Sequence, residues 1–193
     1  MFIDYRGKAP RVAASAFVAP TAILVGDVVV GEDSCIWFGV VLRADTGKIR
    51  IGARSSIEDN AVVHARAAGT TIVGSDVTVG HCAVLDDCTI RDGAQIGSNA
   101  VVLNGAVVGA STVVAAGSVV TVDEQLAERT VVAGAPAKVR KLLSGRAADW
   151  VAHSTAESVA QARAYRRDNI GDPGHHELKT PTRGKRHGSA VLT

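Results

Sequence analysis

The segment VGHCAVLDDCTI (residues 79–90) sets His81 five residues before Asp86 among small and apolar neighbours. Two further stretches are polar in the same way: AVVHARAAGTT, which carries His64, and SSIEDN, which carries Glu58 and Asp59. Imidazole nitrogens and carboxylate oxygens are suitable zinc ligands. Three protein ligands with a fourth position left to water is the arrangement of catalytic rather than structural zinc. The competing reading is that these residues are scattered decoration on the surface of a repetitive scaffold. The fold decides, by bringing them together or keeping them apart.

The elements that must position them are announced by a repeat of six residues. Aliphatic anchors fall at Val18, Leu24, Val30, Ile36 and Leu42, at Ile51, Ile57 and Val63, and at Val73, Val79 and Leu85. They then run from Ile90 through Ile96, Val102, Val108 and Val114 to Val120. A small or β-branched residue lies four positions after each anchor from Val18 to Val114, and glycine often follows directly, as at Gly31, Gly52, Gly74, Gly80, Gly97 and Gly109. A period of six fits neither a helix nor a hairpin meander. It suits a short strand and a tight turn, with anchor and small residue pointing inward and glycine relieving the corner. Three units close a triangular coil of about 18 residues, and stacked coils pair as parallel strands roughly 4.8 Å apart. The fold class expected is therefore all-β, a parallel β-helix in the form of a triangular prism.

Departures from the period fall beside the polar residues. Extra residues between Leu42 and Ile51, and between Val63 and Val73, predict that RADTGK and HARAAGTT bulge from corners; one residue is missing between Leu85 and Ile90. After Val120 the repeat decays. Residues 137–168 are rich in helix formers, with Gly145 separating a short helix from a longer one. Trp150, Val151, Val159 and Tyr165 supply part of an apolar face with which the longer helix packs along the prism. The polar, basic, Gly/Pro-punctuated residues that follow, including His175 and His176, read as a flexible tail. The expected organisation is a β-helix domain over 1–135, a C-terminal helical segment over 136–170 and a tail over 171–193.

Units three apart share a face of the prism. Those anchored at Leu42, Val63 and Leu85 therefore stack, which places Arg43, His64 and Asp86 in one column. His81 falls on a neighbouring face above Glu58 and Asp59. If prisms pack about a three-fold axis, the first cluster of one subunit faces the second cluster of the next. A homotrimer with metal sites between subunits, each held by His64 and Asp86 of one chain and His81 of another, is the assembly expected.

Composition narrows the partners. A formal charge of +2 over 193 residues demands no polyanion, so neither nucleic acid nor a membrane surface is expected to bind. No apolar run approaches the ~20 residues of a membrane span. The stretch MFIDYRGKAP lacks the order of a signal peptide, and a cytoplasmic protein is expected. Cys35, Cys82 and Cys88 form no CxxC pair and read as small buried thiols. Aromatic residues make up only 4%, so the core must be aliphatic.

The segments LRADTGKIRIGARSSIEDNAVVHA, TIVGSDVTVGHCAVLDDCTI and VVAGAPAKVRKL together resemble the γ-class carbonic anhydrases and their relative, the phenylacetate-degradation protein PaaY, over roughly residues 8–170. The resemblance implies a left-handed coil and a trimer that binds zinc, or iron or cobalt, through three histidines. His64 and His81 match two of those histidines, and the third position is Asp86. Arg43 and Asp45 match the family's arginine and aspartate, while Glu58 and Asp59 fall on its Gln–Asp pair. Two positions thus depart, Asp86 for histidine and Glu58 for glutamine. A carboxylate ligand makes the metal a weaker Lewis acid, so reduced activity is expected. HARAAGTT also lacks the acidic proton-shuttle loop of some members.

The activity implied is metal-dependent hydration of carbon dioxide to bicarbonate. Glu58 would orient or deprotonate water, and Arg43 with Asp59 would form an intersubunit ion pair. The alternatives are a PaaY-like acyl-CoA thioesterase, a hexapeptide acyltransferase and a non-catalytic trimeric scaffold.

Overall fold

A computed structural model describes residues 1–170, apart from the side chains of Ala147, Trp150 and Ala152. The expectations for Trp150, for His175 and His176 and for the tail therefore lie outside the described residues. The chain winds as a left-handed parallel β-helix closed by one long helix. One face stacks Val41–Arg43, Val62–His64, Val84–Asp86, Val101–Val102 and Val119–Val120 in parallel register. A second stacks the end of Val41–Ile51 with Thr70–Val73, Thr89–Ile90, Val107–Val108 and Gln125–Leu126. The third runs from Phe17–Val18 through Cys35–Ile36, Ser56–Ile57, Thr78–Val79, Gln95–Ile96 and Val113–Val114 to Thr130–Ala133.

The sixfold anchors become three inward columns. Leu24, Leu42, Val63, Leu85, Val102 and Val120 fill the first, and Ile36, Ile57, Val79, Ile96 and Val114 the third; all are buried. Each such side chain contributes roughly 1.5–3 kcal/mol relative to exposure. Identical registers repeated coil upon coil make those contributions regular along the prism.

The glycines serve a different purpose from the one expected. The left-handed corner conformation falls on other residues, among them Asp33 (φ 54°), Arg54 (φ 54°), Asp76 (φ 57°) and Asn99 (φ 57°). The glycines after the anchors lie instead where successive coils nearly touch. A Cβ on Gly31 would stand 2.7 Å from the carbonyl carbon of Gly52. Close backbone approach, rather than a positive φ, excludes side chains there.

RADTGK does not leave the sheet as a loop. It lies within one continuous strand, Val41–Ile51, and its extra length appears as a shift of register. Gly26 pairs with Ala44 and Val28 with Ile49, so residues 45–48 oppose Asp27 alone. The next coil repeats the detour, and Lys48 pairs with Thr70. Stacking one insertion on the other keeps the added backbone groups hydrogen-bonded.

The short helix expected before Gly145 is absent. Lys138–Leu142 is a strand, antiparallel to Thr130–Ala133. The last coil of a β-helix presents an open edge of unpaired backbone donors and acceptors, and pairing with that edge overrides the helix propensity of a Lys- and Leu-rich segment. The long helix, α1, spans Gly145–Arg167 and lies on the third face. Phe17, Trp37, Phe38 and Tyr165 interlock at its C-terminal end, with Trp37 and Tyr165 centroids 5.6 Å apart. The scarce aromatics thus fasten helix to prism, while the core is aliphatic. Arg166 donates to the carbonyls of Ala14 and Ser15 at 2.7–2.8 Å, and Val151 and Val159 are buried as the apolar face requires. No helix among the described residues is long and apolar enough to cross a membrane.

Candidate metal centre

Register brings the first cluster together. Arg43 stands opposite His64 and His64 opposite Asp86, so three polar side chains follow three buried anchors on adjacent coils. His64 Nδ1 lies 2.8 Å from Asp86 Oδ1. The other oxygen of Asp86 accepts from both Nε and Nη2 of Arg66, at 3.0 and 2.6 Å. Burial pushes the Asp86 carboxyl up, but the hydrogen bonds from Arg66 and His64 outweigh it and hold the group below the ordinary carboxylate range. Arg43 turns to Asp45, with Nη1 2.8 Å from Oδ2. The Asp45 carboxyl is likewise held low: slight burial raises it, and the Arg43 pair lowers it further.

The second cluster forms beneath α1. Glu58, Asp59 and His81 offer ligand atoms within 4.8 Å of one another, the one such group of three among the described residues. Asp59 is fixed by the Phe38 amide on Oδ1 at 3.0 Å, while Oδ2 meets His81 Nδ1 at 3.2 Å. Glu58 Oε1 accepts from Ser56 at 2.6 Å and from Ser158 of α1 at 3.2 Å. Ser56 is held in turn by Trp37 Nε1 at 2.9 Å and touched by Cys35 Sγ at 3.3 Å.

The two clusters stand at opposite corners of the first face, with His81 before the strand Val84–Asp86 and Asp86 at its end. Five residues at ~3.3 Å each put them on the order of 15 Å apart, too far for one ion. Between them the outward side chains of that face form an aliphatic stripe: Ile23, Val41, Val62, Val84, Val101 and Val119, in register and each at least partly exposed. It extends about 24 Å at 4.8 Å per strand.

Whether the residues fit a metal is answered by the imidazoles. His64 turns Nδ1 to the Asp86 carboxylate, which fixes its tautomer and leaves Nε2 for a ligand, the arrangement that metal-binding histidines commonly use, and His81 keeps Nδ1 beside Asp59 at 3.2 Å. The donor set fits a divalent cation. Asp86 fits with a condition: bonded to His64 Nδ1 it lies across the ring from Nε2, so coordinating the same ion means releasing both His64 Nδ1 and Arg66. Of the thiols, Cys35 and Cys88 are buried and pushed up to about 12, mainly by burial, and are inert as ligands. Cys82 departs from expectation in being exposed.

Sequence reasoning passed over three parts of these clusters. Arg66 was not legible, since it lies past the end of the strand Val62–His64 and reaches Asp86 only through its side-chain conformation. The valine stripe was legible, one position before each anchor. Ser158 was not, because its meeting with Glu58 depends on how α1 docks.

A left-handed β-helix that carries histidine and carboxylate clusters at the corners of one face belongs to the hexapeptide-repeat class. Residues 87–121 match the family described as bacterial transferase hexapeptide (six repeats). The chain is 44% identical over 178 residues to the mitochondrial gamma carbonic anhydrase 3 of Arabidopsis thaliana, covering 89% of this chain and 69% of that protein. It is 40% identical over 144 residues to the carbonic anhydrase of Geobacillus kaustophilus, covering 75% and 79%. Among solved structures, a hexapeptide transferase family protein from Anaplasma phagocytophilum superposes with a TM-score of 0.83 at 34% identity, over 86% of this chain and 98% of that one. The chain belongs to the γ-carbonic anhydrase-like family of hexapeptide-repeat proteins.

Proposed function

We propose that this chain forms a homotrimer that hydrates carbon dioxide at metal sites shared between subunits. The observation that carries the reading is the pairing of two half-sites across one apolar stripe. Each imidazole has Nδ1 committed and Nε2 open, and neither half-site holds three convergent ligands including both histidines within one chain. A contiguous exposed aliphatic face marks an association surface. Packing it against a neighbour brings the His64–Asp86 corner of one subunit toward the Glu58–Asp59–His81 corner of the next.

In this arrangement His64 and Asp86 of one chain and His81 of another would hold the ion, Asp86 once it has released His64 Nδ1 and Arg66. Zinc suits this nitrogen and oxygen donor set, and iron and cobalt suit it as well. The metal, when bound, supplies a water acidified enough to act as nucleophile near neutral pH. Glu58, steadied on one oxygen by Ser56 and Ser158, would keep its second oxygen to accept a proton from water in the site. Asp59 orients His81. Arg43, half-exposed and held by Asp45, is free to swing to Asp59 of the neighbouring chain as the surfaces close.

Stopped-flow measurement of carbon dioxide hydration, on protein stripped with a chelator and then reloaded with zinc, tests the proposal. Stripped protein is expected to match the uncatalysed rate, and reloading to restore catalysis in proportion to bound metal. A fully loaded trimer without activity above buffer would contradict it.

A further inference from the structure

The strand Lys138–Leu142 covers the open edge at Thr130–Ala133 and in doing so presents an edge of its own. It is the terminal strand of the third-face sheet, and among the described residues nothing pairs with its other side. The coils have ended by then, and all five of its residues are exposed. Register fixes which way they point, because residues paired across two strands share a side of the sheet. Leu142 and Val139 stand opposite the buried Thr130 and Val132, whereas Lys141 and Lys138 stand opposite the partly exposed Val131 and Ala133. One side of the strand is therefore apolar, with Val139 55% and Leu142 72% exposed, and the other is cationic.

Charge concentrates at the same end of the prism. Residues 129–148 carry Arg129, Lys138, Arg140, Lys141 and Arg146 and no carboxylate, in a chain whose formal charge is only +2. All five are exposed, and none forms a salt bridge among the described residues, whereas Arg50, Arg54, Arg66 and Arg163 are each paired. Lysines on an edge ordinarily keep it from pairing with other strands, but an edge built only for protection would not also expose Val139 and Leu142. Two copies of the strand laid antiparallel would oppose Arg140 to Arg140 and gather the three cations of each. Residues 171–193 carry four cationic side chains against two acidic ones. Neither a second copy nor the rest of this chain complements the edge.

We infer that this edge binds an extended acidic segment of another protein, which adds to the sheet as a further strand. The backbone of that segment pairs with the free donors and acceptors of Lys138–Leu142. Its carboxylates, on one side, meet Lys138 and Lys141, and its aliphatic side chains, on the other, cover Val139 and Leu142. The free backbone favours a strand over an anionic lipid surface, which cannot continue a backbone ladder. The edge belongs to the third face and the aliphatic stripe to the first, so the proposed trimer leaves it open, and binding needs no metal.

Fluorescence anisotropy of a labelled peptide of alternating glutamate and valine, titrated with metal-stripped full-length protein, is the test. Saturable binding is expected, weakening as salt is raised. Only every second N–H of an added strand faces the edge, so two peptides N-methylated on alternate residues in opposite phases should differ: one binds as the parent does, the other at least about tenfold more weakly. Lys138→Glu combined with Lys141→Glu should weaken binding at least about tenfold at unchanged melting temperature, since both side chains are exposed. His64→Ala should bind the peptide as the wild type does, so that failure of the metal reading would not imitate failure of this one. Absence of saturable binding, equal binding by the parent and both methylated peptides, or full binding by the double variant would each overturn the proposal. Co-sedimentation with vesicles of phosphatidylcholine and phosphatidylglycerol, in the absence of peptide binding, would overturn it in favour of a lipid surface.

Discussion

Val84→Lys is expected to turn the trimer into folded monomers and to empty the metal site in the same step. Val84 points away from the core at the centre of the aliphatic stripe, with Val62 and Val101 on either side. Its neighbour Leu85 is the buried anchor, so the substitution leaves the prism intact. In a packed interface the ammonium group would be desolvated without a partner, a penalty of several kcal/mol at each contact. Three contacts close a cyclic trimer, and a loss of at least ~4 kcal/mol at each raises the dissociation constant about a thousandfold or more. Sedimentation should show monomers at micromolar concentration, circular dichroism should be unchanged, and zinc retained after gel filtration should fall to background. A trimer that keeps its metal would place the interface on another face.

Asp86→His is expected to tighten zinc binding by about tenfold or more and to raise hydration activity. In the proposed site the ion must displace Arg66 from one Asp86 oxygen and His64 Nδ1 from the other, so both compete with the metal for the carboxylate. Imidazole is neutral, makes no such pair, and leaves Arg66 in solvent. Replacing a carboxylate ligand with a neutral one also leaves more positive charge on the ion, which lowers the pKa of the water it binds. The rise of activity with pH should therefore shift to lower pH. Asp86→Ala should lose metal while the trimer persists, since Leu85 and Val84 are untouched. Unchanged affinity in Asp86→His would show that Asp86 serves His64 through its hydrogen bond and does not touch the ion.

The β-helix was legible because its signal is redundant. Seventeen inward anchors of one chemical type at a nearly constant spacing leave little freedom, and register followed from counting, including the stacking of Arg43, His64 and Asp86 and the meeting of His81 with Glu58 and Asp59. Counting could not say what a side chain does once placed. Arg66 reaches Asp86 by a side-chain choice that no period encodes, and Ser158 reaches Glu58 across 100 residues because the aromatic seam sets the helix. The strand Lys138–Leu142 was hidden for a related reason. Its residues favour a helix, and only the open edge at Thr130–Ala133 supplies the partner that makes it a strand. The role of the glycines was misjudged because sequence shows which residue is small, but not whether a turn or a neighbouring coil requires it.

The sharing of sites between subunits is tested most directly by mixing two inactive proteins. His64→Ala and His81→Ala each destroy every site of their own trimer, and neither should retain zinc. If they are dissociated together and reassembled at equal amounts, an intact site forms wherever a chain keeping His64 meets a chain keeping His81 across the proper interface. On random assortment that occurs at about a quarter of the contacts in a cyclic trimer. Zinc bound per chain, measured after gel filtration, should recover to about a quarter of the wild-type value, with hydration activity rising in step. No recovery from a mixture shown to contain hybrid trimers would mean that the two histidines never share an ion, and would contradict the intersubunit site.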